Sequence, residues 1–366
     1  MPPEKKKWTK KKKAIIIMCI ILVIAIAVAA FLVLNREKPK KKEKVKETVE
    51  EKKLTIVDED SNERPIAVMI DNNIGSEKHA GLQDSYINYE IIVEGGLTRI
   101  MALYKDKDVS LIGPVRSSRH YFLDYALESD AIYSHYGWST YAENDIKTLG
   151  VNNINGLYDD APFWRDNTIA APHNVFTSTD KLYEFATTKN YETTTEDWKL
   201  LNYTTDVINL NDPIRTDVVV NEQTGEEEKV EVTKEGLLTA SSVTIPYSYY
   251  ETRSYTYDTE REVYLRYMNN IPHTDKTTNE QLHYKNIIIM QVNNFQLDNA
   301  GRQDLDTTGT GQGYYITNGY ALPIVWTKSR RSAKTIYTYT DGSEVEINDG
   351  NTFIQIMPTT YSPIIS

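Results

Sequence analysis

In the stretch LIGPVRSSRHYFLDYALESD, residues 111–130, two arginines bracket two serines, Arg116-Ser117-Ser118-Arg119, between a short apolar run and a segment with helical spacing. The guanidinium fork of arginine matches the paired oxygens of a carboxylate or a phosphate. A helix capped by Ser117 or Ser118 would add free N–H groups and the positive end of its dipole to the same spot. The pattern predicts an anion at this turn. Arg99 and Arg165 are the further cations expected to reach it, with Ser117 and Asn174 as neutral donors and Trp138 as a stacking surface. That anion is either a ligand or one of the chain's own carboxylates, such as Glu90, Glu94 or Asp124.

Carboxylates and histidines suggest a second chemistry. Asp71 closes an apolar run, Glu90 and Glu94 lie on a hairpin, and Asp159-Asp160 precede APFWRD. Two carboxylates can hydrolyse a glycosidic bond, one as acid and one as base or nucleophile; they also ligate Mg²⁺ or Ca²⁺. Asp71 and Glu94 are the candidates for acid or base, with His135 or His173 assisting. No H-x-x-x-H spacing occurs, so no metal is assigned. His79, His273 and His283 stand in polar surroundings and carry no signal. Tyr136, Trp138, Phe163 and Trp164 can stack on sugar rings or fill a core. There is no G-x-S-x-G elbow, P-loop or G-x-G-x-x-G, and the glycines of GTGQGYY precede a strand. No cofactor is implied.

The elements that would position these residues follow from periodicity. Ile66–Ile70 is a short apolar strand ending at Asp71. Two β-rich runs flank Gly95-Gly96, which reads as a two-residue hairpin turn. That register sets Glu90 opposite Met101 and puts Glu90, Glu94 and Arg99 on one face. VSLIG predicts a strand, Pro114–Ser117 a turn, and Ser117 or Ser118 the cap of a helix reaching Glu128. AIYSHYG is a further strand, and AENDIKTLG and TSTDKLYEFATT are short helices. Residues 60–190 therefore form an α+β or α/β domain with a mixed sheet. Residues 191–239 are an acidic linker or hairpin insert, and 240–366 form a mainly β domain with tyrosines at alternate positions and a turn at Asp341-Gly342.

The ends set the location. Residues 1–53 hold 16 lysines and arginines against 6 acidic residues, a surplus of +10; with −11 for the whole chain, the remainder carries −21. So acidic a body lacks the basic face that nucleic acid needs. Residues 14–34 are an uncharged run of 21 apolar residues, about 30 Å as a helix and thus the thickness of a bilayer core. Ala27-Val28-Ala29 resembles a signal cleavage site, but the run continues through Leu34, which favours a single-pass anchor. Residues 1–13 then form a basic cytoplasmic tail, 35–59 a charged stalk, and the body lies outside. The only cysteine is Cys19 inside the span, so the body has no disulfide.

RPIAVMIDN, YEIIVEGGLTRIMALY, IGPVRSSRHYF, DAIYSHYG, FWRD and APHNVFTS, followed by GQGYYITNGYALPIVWTK and DGSEVEINDGNTFIQIMP, resemble the YerB-like lipoprotein family, domain of unknown function 3048. The likeness covers most of residues 64–360. It implies a two-part surface protein of Gram-positive-type bacteria and brings no activity with it. Members are often lipid-anchored through a cysteine just after the signal's apolar region. Here Cys19 has apolar residues on both sides, so the helix itself is the expected anchor. Taken together, the expectation is an envelope protein that binds an anionic cell-wall ligand, such as a glycan or anionic polymer, in an arginine-lined cleft. The alternatives are a glycan hydrolase or phosphodiesterase on the same residues, or a structural protein that docks a protein partner through its C-terminal sheet.

Overall fold

The computed structural model describes residues 9–35, 52–73, 75, 77–198, 201–220 and 227–366. Two compact units result, one within residues 1–51 and the other Lys52–Ser366. In the first, a 25-residue helix, Lys10–Leu34, contains an 18-residue stretch with a mean hydropathy of 3.4 and has no buried side chain. It is long and apolar enough to cross a membrane. Cys19 lies within it. The tail up to residue 8 and residues 36–51 of the expected stalk lie outside the described residues.

The second unit begins earlier than expected. Val57 is buried, Leu54 and Ile56 pack on the core, and Asp349 accepts from the Thr55 and Ile56 amides at 2.7 and 3.0 Å. The end of the presumed stalk is thus part of the fold, because its apolar residues have a core to cover.

An eleven-stranded mixed sheet dominates the body. Its N-terminal strands are β1 (Ile66–Asp71), β2 (Ile87–Ile92), β3 (Thr98–Tyr104), β4 (Ile132–His135) and β5 (Asn153–Asn155). They lie in the order β2-β3-β1-β4-β5, with β1, β4 and β5 parallel. The C-terminal half enters the same sheet through Thr352–Pro358, which pairs in parallel with both β2 and Asn286–Val292. Beyond it follow Gly309–Thr317 and Tyr320–Lys328. β1, β2 and β3 are buried along their whole length, as expected for strands covered on both faces. Helices Leu123–Glu128, Thr140–Leu149 and Thr179–Thr188 belong to the N-terminal half; Ser139 and Ser178 cap the last two.

A six-stranded sheet containing Ser242–Pro246, Thr252–Asp258 and Val263–Met268 packs on the face that carries Glu90. Burial alternates over Thr252–Tyr255 and Val263–Met268, and the inward residues are Arg253 and Tyr255 on one strand and Tyr264, Arg266 and Met268 on the next. Residues 191–239 include the hairpin Arg215–Val220 with Glu227–Val232, yet Trp198, Leu201 and Leu210 are buried in the core.

Three local expectations are corrected. The turn between β2 and β3 has three residues, Glu94–Gly96, with both glycines at positive φ, and Val93 N donates to Leu97 O. That moves the register by one: Glu90 faces Ile100 and Arg99 faces Ile91. Because side chains alternate across a strand, Arg99 leaves the face of Glu90 for the opposite one. Within residues 109–113 only Ile112 and Gly113 make isolated bridges, and no strand forms. Neither Ser117 nor Ser118 caps a helix. They continue an extended segment in which Ser118 pairs with Trp138, and the helical turn starts only at His120. The anion turn therefore receives no helix dipole.

Candidate functional site

The end of β1 divides two sets of polar residues. Asp71 pairs with Arg99 across β1 and β3 and shares its face with Tyr133 and His135 of β4 by register. Asn72 points the other way, its Nδ2 donating to Glu90 Oε1 at 2.7 Å.

On the Asp71 face, three arginines converge. Asp71 is buried, and its Oδ2 lies 2.6 Å from His173 Nδ1 and 3.0 Å from Arg116 Nε. The Arg116 N–H is misaligned for a hydrogen bond, so this pair is Coulombic. His173 Nε2 makes no hydrogen bond among the described residues, and the side chain is 27% exposed. Arg116 is 23% exposed. Arg119 forms a bidentate pair with Glu94, Nε to Oε1 at 2.6 Å and Nη2 to Oε2 at 2.8 Å. Burial alone would raise the Glu94 carboxyl, but Arg119 outweighs it and holds it below its ordinary range.

Arg99 differs from both neighbours. Its side chain is buried, it donates from Nη1 to Ser117 O at 2.5 Å, and it forms no ion pair among the described residues. Burial, then Arg119 and Arg116 beside it, push it down to about 10, with Glu94 offsetting part of this. A buried guanidinium with cations on two sides favours a negative charge brought from outside.

The other candidates have structural tasks. His135 is buried, with Nδ1 at 2.8 Å from Gly137 O and Nε2 at 3.3 Å from the Asn153 amide; burial lowers it to about 4, so it is neutral near pH 7. Trp138 leans on His135 and Tyr158, with both ring centroids 5.6 Å away. Asn174 is buried and accepts from Arg165 Nη1 at 2.7 Å, while Arg165 lies over the Tyr136 ring at 5.3 Å. Asp71 and Glu94 are each tied to their own arginine rather than to one another.

Opposite lies a cluster that the sequence did not announce. Glu90 Oε1 accepts from Arg253 Nε at 2.6 Å and from Thr98 Oγ1 at 2.7 Å, and Oε2 accepts from Arg266 Nη2 at 2.6 Å and Gln355 Nε2 at 3.2 Å. All these groups are buried. Desolvation would raise Glu90, but Arg266 and Arg253 hold it down to about 2. The available signal was alternation: Arg253 and Arg266 stand at the same inward phase as Tyr255 and Tyr264. The cluster also uses His79 and His273, which polar surroundings in sequence had disguised. Arg266 Nε donates to His273 Nδ1 at 3.0 Å, His273 Nε2 lies 3.0 Å from His79 Nδ1, and His79 Nε2 lies 2.6 Å from Asp71 O. Arginine cannot accept, so its donation sets both tautomers: each histidine accepts at Nδ1 and donates at Nε2. The chain of donors runs from the buried cluster to the backbone of Asp71.

Residues 54–192 match a family profile described as the N-terminal domain of a protein of unknown function (DUF3048), and residues 243–354 match its C-terminal domain. The chain belongs to the DUF3048 family. A relative described as "Putative lipoprotein YerB", from Bacillus subtilis (strain 168), is 28% identical over 306 residues, 83% of this chain and 84% of the relative. The crystal structure of the YerB protein from Bacillus subtilis superposes with a TM-score of 0.69 at 26% identity, covering 86% of this chain and 97% of that one. The two family domains contribute to one sheet here, since Thr352–Pro358 lies beside β2. The relative described as "Putative lipoprotein YerB" and the apolar helix Lys10–Leu34 agree on association with a membrane.

Proposed function

We propose that this DUF3048 protein is anchored in the cell membrane by Lys10–Leu34, with its body outside, and that the body binds an anionic group of the cell envelope at Arg99, Arg116 and Arg119. One observation carries the reading: Arg99 is buried, forms no ion pair among the described residues and has two further arginines beside it. Leaving such a charge uncompensated is costly in a fold that elsewhere pairs its buried cations, as with Arg253, Arg266 and Lys328. A phosphate or carboxylate would neutralise it, with Arg116 as the solvent-facing half of the clamp.

Thermal unfolding of the full chain in detergent, with inorganic phosphate or glycerol 3-phosphate, tests this. A bound anion stabilises by mass action, about 2.7 kcal/mol at a hundredfold excess over its dissociation constant. The midpoint should rise for the wild type and much less for Arg116→Ala. An equal rise in both would remove Arg116 from the site, and no rise with either anion would remove the proposal.

The Asp71–His173 pair supports a second reading. A buried carboxylate that fixes Nδ1 and leaves Nε2 free is the arrangement of a general base. With Arg116 beside it, His173 could take a proton from water attacking a phosphodiester, while the arginines stabilise the developing charge. Turnover of bis(p-nitrophenyl) phosphate that vanishes in His173→Gln while phosphate still binds would favour this enzyme over a binding protein.

A further inference from the structure

We infer that the anion recognised here is carried on a sugar, whose ring lies on an aromatic shelf formed by Trp138 and Tyr158; this rests on the anion-binding reading above.

The shelf and the arginines meet at one edge. β1, β4 and β5 run parallel, so their carboxyl ends open on the same side: Asp71 ends the first, Tyr136-Gly137-Trp138 follows the second, and Gly156-Leu157-Tyr158 follows the third. In open sheets of parallel strands this is the edge where ligands bind. The arginine segment is bonded along the second of these loops: Tyr136 N donates to Arg116 O and Ser118 N to Gly137 O, both at 2.9 Å, and Ser139 N to Ser118 O at 3.2 Å. Asn155 ties in the third, its Oδ1 accepting from Gly137 N at 2.9 Å and Leu157 N at 3.1 Å. Gly137 has φ +82, and a Cβ there would stand 3.3 Å from both Ser117 Oγ and Leu157 Cδ1. Ser117 and Leu157 therefore crowd the same point of backbone.

Side chains on this edge suit a sugar. Trp138 rests on His135, and Tyr158 lies against Trp138 at 41° while remaining 73% exposed. Leu157 beside it is exposed too. A pyranose offers an apolar C–H face to such rings and hydroxyls at its rim. The neighbouring Asp159 is neutralised by Lys189 at 2.8 Å, which lessens its repulsion of an anion. The arginines supply charge and the aromatics supply area, so a charged saccharide satisfies both where a bare anion uses one.

Calorimetric titration of the full chain in detergent separates the parts. N-acetylmuramic acid carries ring and carboxylate, lactate the carboxylate alone and N-acetylglucosamine the ring alone; glucose 6-phosphate and inorganic phosphate form the matching phosphate pair. At least one charged sugar should bind about tenfold tighter than its ring-free anion, and Tyr158→Ala should remove that advantage while leaving the anion's affinity unchanged. Tyr158 is exposed, so this variant tests the shelf without threatening the fold. Equal binding of sugar and bare anion would overturn the shelf and leave the anion site standing. N-acetylglucosamine binding as tightly as N-acetylmuramic acid would overturn the link between ring and charge. No binding by any probe would sink the anion reading and this inference together.

Discussion

Asp71 and Asn72 are consecutive, yet Asp71 Oδ2 lies 2.6 Å from His173 on one face of the sheet while Asn72 Nδ2 lies 2.7 Å from Glu90 on the other. The strand end thus joins a partly open cationic site to a closed ionic core. Each side makes a different prediction.

The closed side is a matter of stability. Glu90 answers two buried arginines from the C-terminal half; its removal strands Arg266 and leaves Arg253 only Glu251. Glu90→Gln should cost about 3–5 kcal/mol, the usual penalty for breaking a buried pair. Urea unfolding measures it. A loss below about 1 kcal/mol would mean that water already reaches the cluster.

Acid should weaken the fold in two stages. His79 and His135 are lowered to about 4, and His273 also falls below its ordinary value, in each case first by burial. The unfolded chain then binds more protons than the folded one between about pH 6.5 and 4, so stability rises with pH across that window and is lost on descending it. Glu90, held down to about 2, extends the loss from its ordinary range toward pH 2. Unfolding free energies at pH 7, 5.5 and 4 should fall in that order. Equal values at pH 7 and 5.5 would contradict neutral buried histidines.

Under the proposed function, Glu94 competes with the ligand. Its bidentate grip on Arg119 occupies a fork that a ligand would otherwise use. Glu94→Gln removes one negative charge and frees that fork, so inorganic phosphate should bind roughly three- to tenfold tighter. Weaker binding, seen by calorimetry, would mean that Glu94 instead holds Arg119 in the binding pose.

The fold was legible where one pattern sufficed. Apolar runs marked β1 and β4, AENDIKTLG marked most of the helix Thr140–Leu149, a Ser/Thr cap marked the helix Thr179–Thr188, and composition marked the Lys10–Leu34 helix. The joining of both halves in one sheet was not legible, because Thr352–Pro358 reaches β2 by long-range pairing that leaves no local trace. Within the site, Asp71, His173, Arg99, Arg116 and Arg119 were all nominated, yet their pairing depended on a single hairpin register. A three-residue turn instead of two moved Arg99 away from Glu90 and left it without an ion pair among the described residues. The arginines that took its place come from positions 253 and 266, where alternation with tyrosine was the only clue.

The proposed function requires that Arg99 meet an external anion. Arg99→Met keeps much of the side chain's volume and removes a buried charge that forms no ion pair among the described residues and that Glu94 offsets only in part, so the fold should be as stable as the wild type or slightly more so. The direct measurement is calorimetric titration of inorganic phosphate into wild-type and Arg99→Met full-length protein, with thermal unfolding of both. Affinity should fall roughly ten- to a hundredfold at an undiminished midpoint, the size of a lost charge-assisted contact. Unchanged affinity together with a markedly lower midpoint would show that Arg99 serves the fold, and would contradict the account.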